Sequence, residues 1–328
     1  MPHVVTFGEI MLRLTTPGHE RFAQATELDV TFGGAEANVA VGIAQMGEQA
    51  SFVTKVPDHE IGQRAIDELQ KCGVYTSRIA RGGERLGLYY LEQGASQRAG
   101  KVIYDRSGSS IATASAGDFD WRAIFDGADW FHWSGITPAL SPNCAQIVEE
   151  ASACAKSMGL TVSFDMNYRA KLWTPERAGT VLAPLMKHVD VCICGAGEAV
   201  SVFDLDAEND EALAAALAEQ FNFATVAMPQ RQSANASLAR FGALLRVADA
   251  TYLSRRHDIT VVDRVGTGDA FTAGLIYSML RGDDPADVVE FAVAAGVLAH
   301  TVPGDFPLCS LGEVEALAAG GDGGRVQR

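Results

Sequence analysis

Basic residues are in short supply in this chain: 26 lysines and arginines stand against 41 aspartates and glutamates, a formal net charge of −15 over 328 residues. That deficit works against nucleic acid and anionic membrane surfaces as partners, since both would be repelled at long range. It leaves room for a small anionic ligand, because a few local arginines can outweigh the global field. Cysteine is sparse too. Cys72, Cys144, Cys154, Cys192, Cys194 and Cys309 form no C-x-x-C pair and have no histidine spacing suited to zinc, so they read as buried reduced thiols rather than disulfide or metal partners. Long apolar runs are missing: the most apolar helical stretches, near 270–280 and 288–300, are too short to cross a bilayer. The N-terminus enters a strand directly, without a basic segment followed by a long apolar one, so no signal peptide and a cytoplasmic location are expected. There is no internal repeat, and the tail Gly320-Gly321-Asp322-Gly323-Gly324 reads as a flexible end. With 48% hydrophobic and 20% charged residues, the chain is long enough to bury a sizeable core.

Chemistry is concentrated in Val262-Asp263-Arg264-Val265-Gly266-Thr267-Gly268-Asp269-Ala270-Phe271. Residues 259–262 are β-branched and apolar, residues 270–280 are apolar at helical spacing, and Arg281-Gly282 stops the pattern, so the glycines fall on a strand-to-helix turn. A helix N-terminus carries unpaired amide donors and about half a unit of positive charge, which suits phosphate oxygens. Gly266, Thr267 and Gly268 would supply this anion hole, and Asp269 beside it would take a proton from an attacking hydroxyl. On these residues alone, a tight turn with a capping Asp remains an equal reading.

From about residue 128, short apolar runs at 130–133, 161–164, 191–194 and 224–228 alternate with helical stretches of roughly ten to twenty residues. The alternation predicts an α/β fold with a mostly parallel sheet covered on both faces. Ligands bind such sheets beyond the carboxyl ends of the strands, where Asp165, 195–198 and 266–269 all fall. Residues 10–32 and 84–112 break the rhythm, with strand-like alternation such as Gly87-Leu88-Tyr89-Tyr90-Leu91 and no long helix. A small β-sheet and a pair of surface hairpins both fit that composition.

A second glycine motif, Phe32-Gly33-Gly34-Ala35-Glu36-Ala37-Asn38-Val39-Ala40, opens a helical pattern that runs to Met46-Gly47. Together with the distant Gly-Thr-Gly-Asp, it resembles the paired signatures of the ribokinase-like (PfkB-type) carbohydrate kinases, and the likeness spans almost the whole chain. Within that family the chain is most similar to the 2-keto-3-deoxygluconate kinases. Gly87-Leu88-Tyr89-Tyr90, Tyr104-Asp105-Arg106-Ser107-Gly108-Ser109, Ser134-Gly135-Ile136-Thr137-Pro138-Ala139-Leu140 and Phe164-Asp165-Met166-Asn167-Tyr168-Arg169 carry that further likeness. The resemblance implies a three-layer α/β/α sandwich as one domain over 1–328, with 10–32 and 84–112 forming a β lid over the sugar. It implies transfer of the γ-phosphate of ATP, with Mg²⁺, to the C6 hydroxyl of a keto-deoxy sugar acid, Asp269 being the base. It also implies a homo-oligomer, a dimer or larger, by analogy.

The resemblance further implies a substrate site. Arg106 and Arg169 would hold the carboxylate, since a guanidinium fork matches one and a neutral sugar needs none. Tyr89 and Tyr104 would offer hydroxyls, Gly33 and Gly34 would let backbone approach the sugar, Asn38 would bond a sugar hydroxyl, and Ile136 and Asp305 would also reach the ligand. On the nucleotide side the chain departs from the family. Of an Asn-x-x-Glu only Glu198 survives in Gly195-Ala196-Gly197-Glu198, where it would help hold Mg²⁺ through water. Pro229 in Met228-Pro229-Gln230-Arg231-Gln232-Ser233 stands where relatives usually carry a Thr, and Arg231 is placed to compensate by contacting phosphate. Two other readings therefore stay open: a kinase of a neutral sugar such as fructose or ribose, and a non-catalytic sugar-acid-binding regulatory protein with a decayed nucleotide site.

Overall fold

The fold is that of a computed structural model, which describes residues 1–321. Most of the glycine-rich tail expected at 320–324 lies outside the described residues. In chain order, β1 (His3–Phe7), β2 (Met11–Thr15) and β3 (Asp29–Gly33) lead into α1 (Ala35–Gln45). Next come β4 (Gln49–Val53), β5 (Lys55–Val56), α2 (Glu60–Lys71), β6 (Ala80–Arg81), β7 (Gly87–Glu92) and β8 (Lys101–Asp105). The short α3 (Trp121–Ile124) precedes β9 (Trp130–Ser134), which is followed by α4 (Ile136–Leu140), α5 (Pro142–Ser157), β10 (Thr161–Asp165) and α6 (Pro175–Leu182). The chain continues through β11 (Val191–Ile193), α7 (Ala196–Phe203), α8 (Asp210–Phe221), β12 (Thr225–Ser233), β13 (Leu238–Val247), β14 (Ala250–Leu253) and β15 (His257–Thr260). It closes with α9 (Thr267–Arg281), α10 (Pro285–Ala299) and α11 (Leu311–Ala318).

The main sheet runs β14-β13-β12-β11-β10-β9-β1-β4, with β15 also on β13, and every pair from β12 to β4 is parallel. Strands flanked by helices on both faces must be apolar on both, and all five residues of β9 are buried. One core lies under α1, α2, α9, α10 and α11 around Phe52 and Phe271. The other lies under α3, α5, α6, α7 and α8 around Trp133 and Phe164. The four strands predicted from 130 onward are all present.

The alternation fails after residue 228. There β12 runs on to Ser233, turns back into β13 with Ser233 opposite Ala239, and adds β14 and β15, all antiparallel and with no helix before α9. The Gly266 turn is consequently entered from an antiparallel edge strand, not from the carboxyl end of a parallel one. It still reaches the rim shared by Asp165 and Gly195.

Residues 10–32 and 84–112 give a separate four-stranded sheet, β3-β2-β7-β8. Its inner face alternates cleanly: Met11, Arg13 and Thr15 are buried on β2, and Arg13, Tyr89 and Tyr104 stand in one cross-strand row.

Candidate active site

A cleft of about 440 Å³ opens between the small sheet and the rim of the main sheet. The first contributes Met11, Tyr89, Val102, Tyr104 and Arg106; the second contributes Gly34, Asn38, Ile136, Asp165, Asn167, Arg169, Glu198, Arg231, Asp305 and the turn 266–269. Every residue singled out from the sequence lines this cleft except Gly33. A neighbouring cavity of about 530 Å³, between the 93–100 loop and the 233–236 turn, brings only Asp263 and Arg264 as charged groups. Polar chemistry converges on the first.

The turn has the geometry an anion hole needs. Gly266 sits at φ 79°, a left-handed conformation that a side chain disfavours, and a Cβ on it would stand 2.0 Å from the Asp305 carbonyl oxygen. Among the described residues no side chain caps α9, so the amides of its first turn remain available to a ligand. Gly268 lines the cleft, with open space where a Cβ would be. Thr267 Oγ1 donates to the Arg264 carbonyl at 3.0 Å and accepts from Arg231 Nη2 at 2.5 Å. Arg231 lies over the Phe241 ring and, among the described residues, has no carboxylate within ion-pair distance. Burial, then Arg264, lowers its pKa to about 10, against the charge of Asp269.

Asp269 is the third residue of α9 and accepts from Asn38 Nδ2 at 2.6 Å. Burial is the main cause that raises its pKa to about 6, against the hydrogen bond from Asn38 and the charge of Arg169. Such a carboxyl is ionised at neutral pH yet basic enough to accept a proton. Asp165, at the end of β10, is pushed well above the usual carboxylate range by burial and then by Glu198 and Asp269. Asn167, at φ 41°, turns the chain beside it and donates its amide to Asp165 at 3.1 Å.

Several residues have neighbours that the sequence did not disclose. Asn38, expected on a sugar hydroxyl, spends one amide proton on Asp269, and its oxygen accepts from the Gly34 amide at 3.2 Å. The two glycines are spaces for protein atoms: a Cβ on Gly33 would meet the Asp305 carboxylate and one on Gly34 the Glu9 carbonyl. Arg106 donates through Nε, at 2.8 Å, and Nη2 to the buried Glu9 and lies over the Tyr104 ring. Among the described residues Arg169 donates only to the Tyr168 carbonyl, at 3.1 Å, and so is the less committed of the two guanidinium groups. Tyr89 donates its hydroxyl to Asp305, which also receives Arg13 at 2.6 Å. Glu198 accepts from the Gly195 amide at 2.9 Å and the Tyr168 amide at 2.8 Å, which fixes the carboxylate at the rim with lone pairs to spare. Asp165 was legible as the end of a parallel strand, Asn167 only as a member of a matched segment, and Glu9, Arg13 and Asp263 carried no local signal as site residues.

Residues 1–308 match the pfkB family carbohydrate kinase pattern. The chain belongs to the PfkB family of carbohydrate kinases. Among the relatives of this kinase, the 2-dehydro-3-deoxygalactonokinase of Haloferax volcanii is 35% identical over 321 residues, covering 98% of each chain. The 2-dehydro-3-deoxygluconokinase of Bacillus subtilis is 30% identical over 307 residues, or 92% of this chain and 90% of that one. In three dimensions the kinase superposes on the crystal structure of 2-dehydro-3-deoxygluconokinase from Thermotoga maritima with a TM-score of 0.95 and 48% identity, over 97% of this chain and 98% of that one. The mostly parallel main sheet with a separate small sheet is thus the ribokinase-like α/β fold.

Proposed function

We propose that this kinase transfers the γ-phosphoryl group of ATP to the C6 hydroxyl of 2-keto-3-deoxygluconate or its C4 epimer. The observation that carries the reading is Asp269 at the start of α9, sharing one cleft with Arg169, which among the described residues makes no salt bridge though its charge reaches Asp269 and Asp165. Arg169 takes the substrate carboxylate, with the free edge of Arg106 beside it, and the small sheet acts as a lid whose Tyr89 and Tyr104 face the sugar. Asp269 removes the C6 proton as that oxygen attacks the γ-phosphorus, and the departing bridge oxygen leaves with ADP. The amides of 266–268 and the Arg231 guanidinium stabilise the charge on the phosphoryl oxygens.

Magnesium fits this donor set through water. Glu198 has an oxygen lone pair left on each side of its amide bonds, and the crowding of Asp165, Glu198 and Asp269 would be relieved by a cation brought in with the nucleotide. When bound, the metal supplies charge neutralisation on the phosphates.

Glycine at 195 and proline at 229 favour one competing reading, a sugar-acid-binding protein without turnover. A coupled ADP-release screen over neutral sugars, aldonates and 2-keto-3-deoxy acids of both C4 configurations separates the two. Turnover is expected with the keto-deoxy acids alone; equal rates on fructose or ribose would overturn the substrate, and no release with any acceptor would overturn catalysis.

A further inference from the structure

Two buried carboxylates outside the phosphoryl-transfer chemistry meet one buried guanidinium. Arg13 on β2 donates to Asp305 through Nη1 at 2.6 Å and to Asp263 through Nη2 at 2.5 Å, while its Nε bonds Thr15 at 2.7 Å. All three charged side chains are 2 to 3% exposed. The partners lie 250 and 292 residues away in sequence, so this is the small sheet gripping the main body.

Both partners shape the turn at 266. Asp263 accepts from the amides of Arg264 at 2.7 Å and Val265 at 3.1 Å, which curls the chain just ahead of Gly266. It also accepts from the Gly304 amide at 3.1 Å, tying the neighbouring loop to the same carboxylate. Asp305 supplies the carbonyl against which Gly266 packs. Arg13 therefore holds both walls of the anion hole without lining the cleft itself.

We propose that Arg13 is a positioning residue for phosphoryl transfer: seated from the small sheet, it locks the 263–266 turn and the 304–305 loop together, so the anion hole is complete only when that sheet is docked. A single guanidinium fork can reach two carboxylates at once, whereas an ammonium is a point charge. Without it, two buried carboxylates would repel each other and draw in water, and the amides at 266–268 would lose their aim. The inference rests on the proposed kinase reading for its activity readout, but not for its structural one.

The test compares Arg13→Ala and Arg13→Lys in the full chain by steady-state kinetics, thermal melting and amide hydrogen exchange. For a folded Arg13→Ala, kcat should fall about 30-fold or more with a smaller change in KM, and guanidinium chloride at tens of millimolar should restore part of the loss. Exchange at Arg264, Val265 and Gly304, whose amides Asp263 holds, should quicken about tenfold or more while the α5 and β10 amides stay protected, a pattern that a general loss of stability would not give. Arg13→Lys should fall in between. A folded Arg13→Ala with kcat within about twofold of the parent, or with unchanged exchange at Arg264, Val265 and Gly304, overturns the proposal. If Arg13→Ala does not fold, Arg13→Lys decides, and parental kcat and exchange there overturn it equally. Should the parent release no ADP with any acceptor, the kinase reading falls, and the exchange pattern still decides the clamp.

Discussion

At the scale of single residues, Asp269 carries the most consequence. A base acts only when ionised, so with a pKa of about 6 the rate kcat/KM should climb as pH rises through 6 and level off above it. Replacing Asp269 with Asn should abolish that limb, leave substrate binding nearly intact and lower kcat by about 10²-fold or more. The same group has a stability cost of opposite sense. Its folded-state pKa lies above the unfolded value of 3.8, so the folded state binds the proton more tightly, and stability from this group is gained as pH falls from about 6 toward 4. At pH 8 the Asn variant should therefore melt higher than the parent, by something on the order of 1–3 kcal/mol, while turning over far more slowly. Equal or lower stability at pH 8, or single-turnover chemistry at the parental rate, would remove Asp269 from the role.

At the scale of elements, the turn into α9 separates two glycines that look alike in sequence. Gly266→Ala adds a methyl in a left-handed conformation and against the Asp305 carbonyl, so it should destabilise by about 2 kcal/mol or more and also lower kcat. Gly268→Ala lies in the first turn of the helix with open space around the new methyl, so it should gain about 0.5–1 kcal/mol from helix propensity yet slow turnover as the methyl enters the phosphoryl site. Urea melts beside kcat values check both, and loss of stability in both variants alike would mean that the turn is only a structural cap.

The reach of sequence reading shows at the same elements. α9 was legible because two local signals agreed, apolar spacing of 3.6 and a glycine stop, and Gly282 indeed ends it at φ 74°. Sheet strands 9 to 12 were legible as short, buried apolar runs. The β12–β13 hairpin was not, because Pro229-Gln230-Arg231-Gln232-Ser233 carries neither period and pairs with residues known only from the register. In the site, motif residues were found and their bonds were not. Asn38 meets Asp269 across 231 positions, and Arg13 meets Asp305 across 292. Nothing local encodes such pairings; topology creates them.

At the scale of the whole molecule, the proposed function requires an acidic protein to bind an acidic substrate against its own field. A net charge of −15 makes approach of an anion unfavourable at long range, so affinity has to come from groups inside the cleft, where solvent ions screen little. Arg169, which makes no salt bridge among the described residues, is the group proposed to supply it. A ligand that binds only the folded chain raises its stability by about 2.7 kcal/mol at a hundred times Kd, which for a protein of this size is roughly 5 °C in Tm. The keto-deoxy acid should give that shift and a neutral sugar of equal length should not. Because Arg169 sits half-buried in the cleft, the shift should fade less between about 50 and 500 mM salt than binding to an exposed basic patch would. Arg169→Ala should cost the acid about 10- to 100-fold in affinity, the worth of a charge-assisted hydrogen bond or two, and leave any weak binding of the neutral sugar unchanged. Thermal melts of parent and variant with both ligands measure all of this without turnover, and an equal shift from acid and neutral sugar would take the carboxylate out of the recognition altogether.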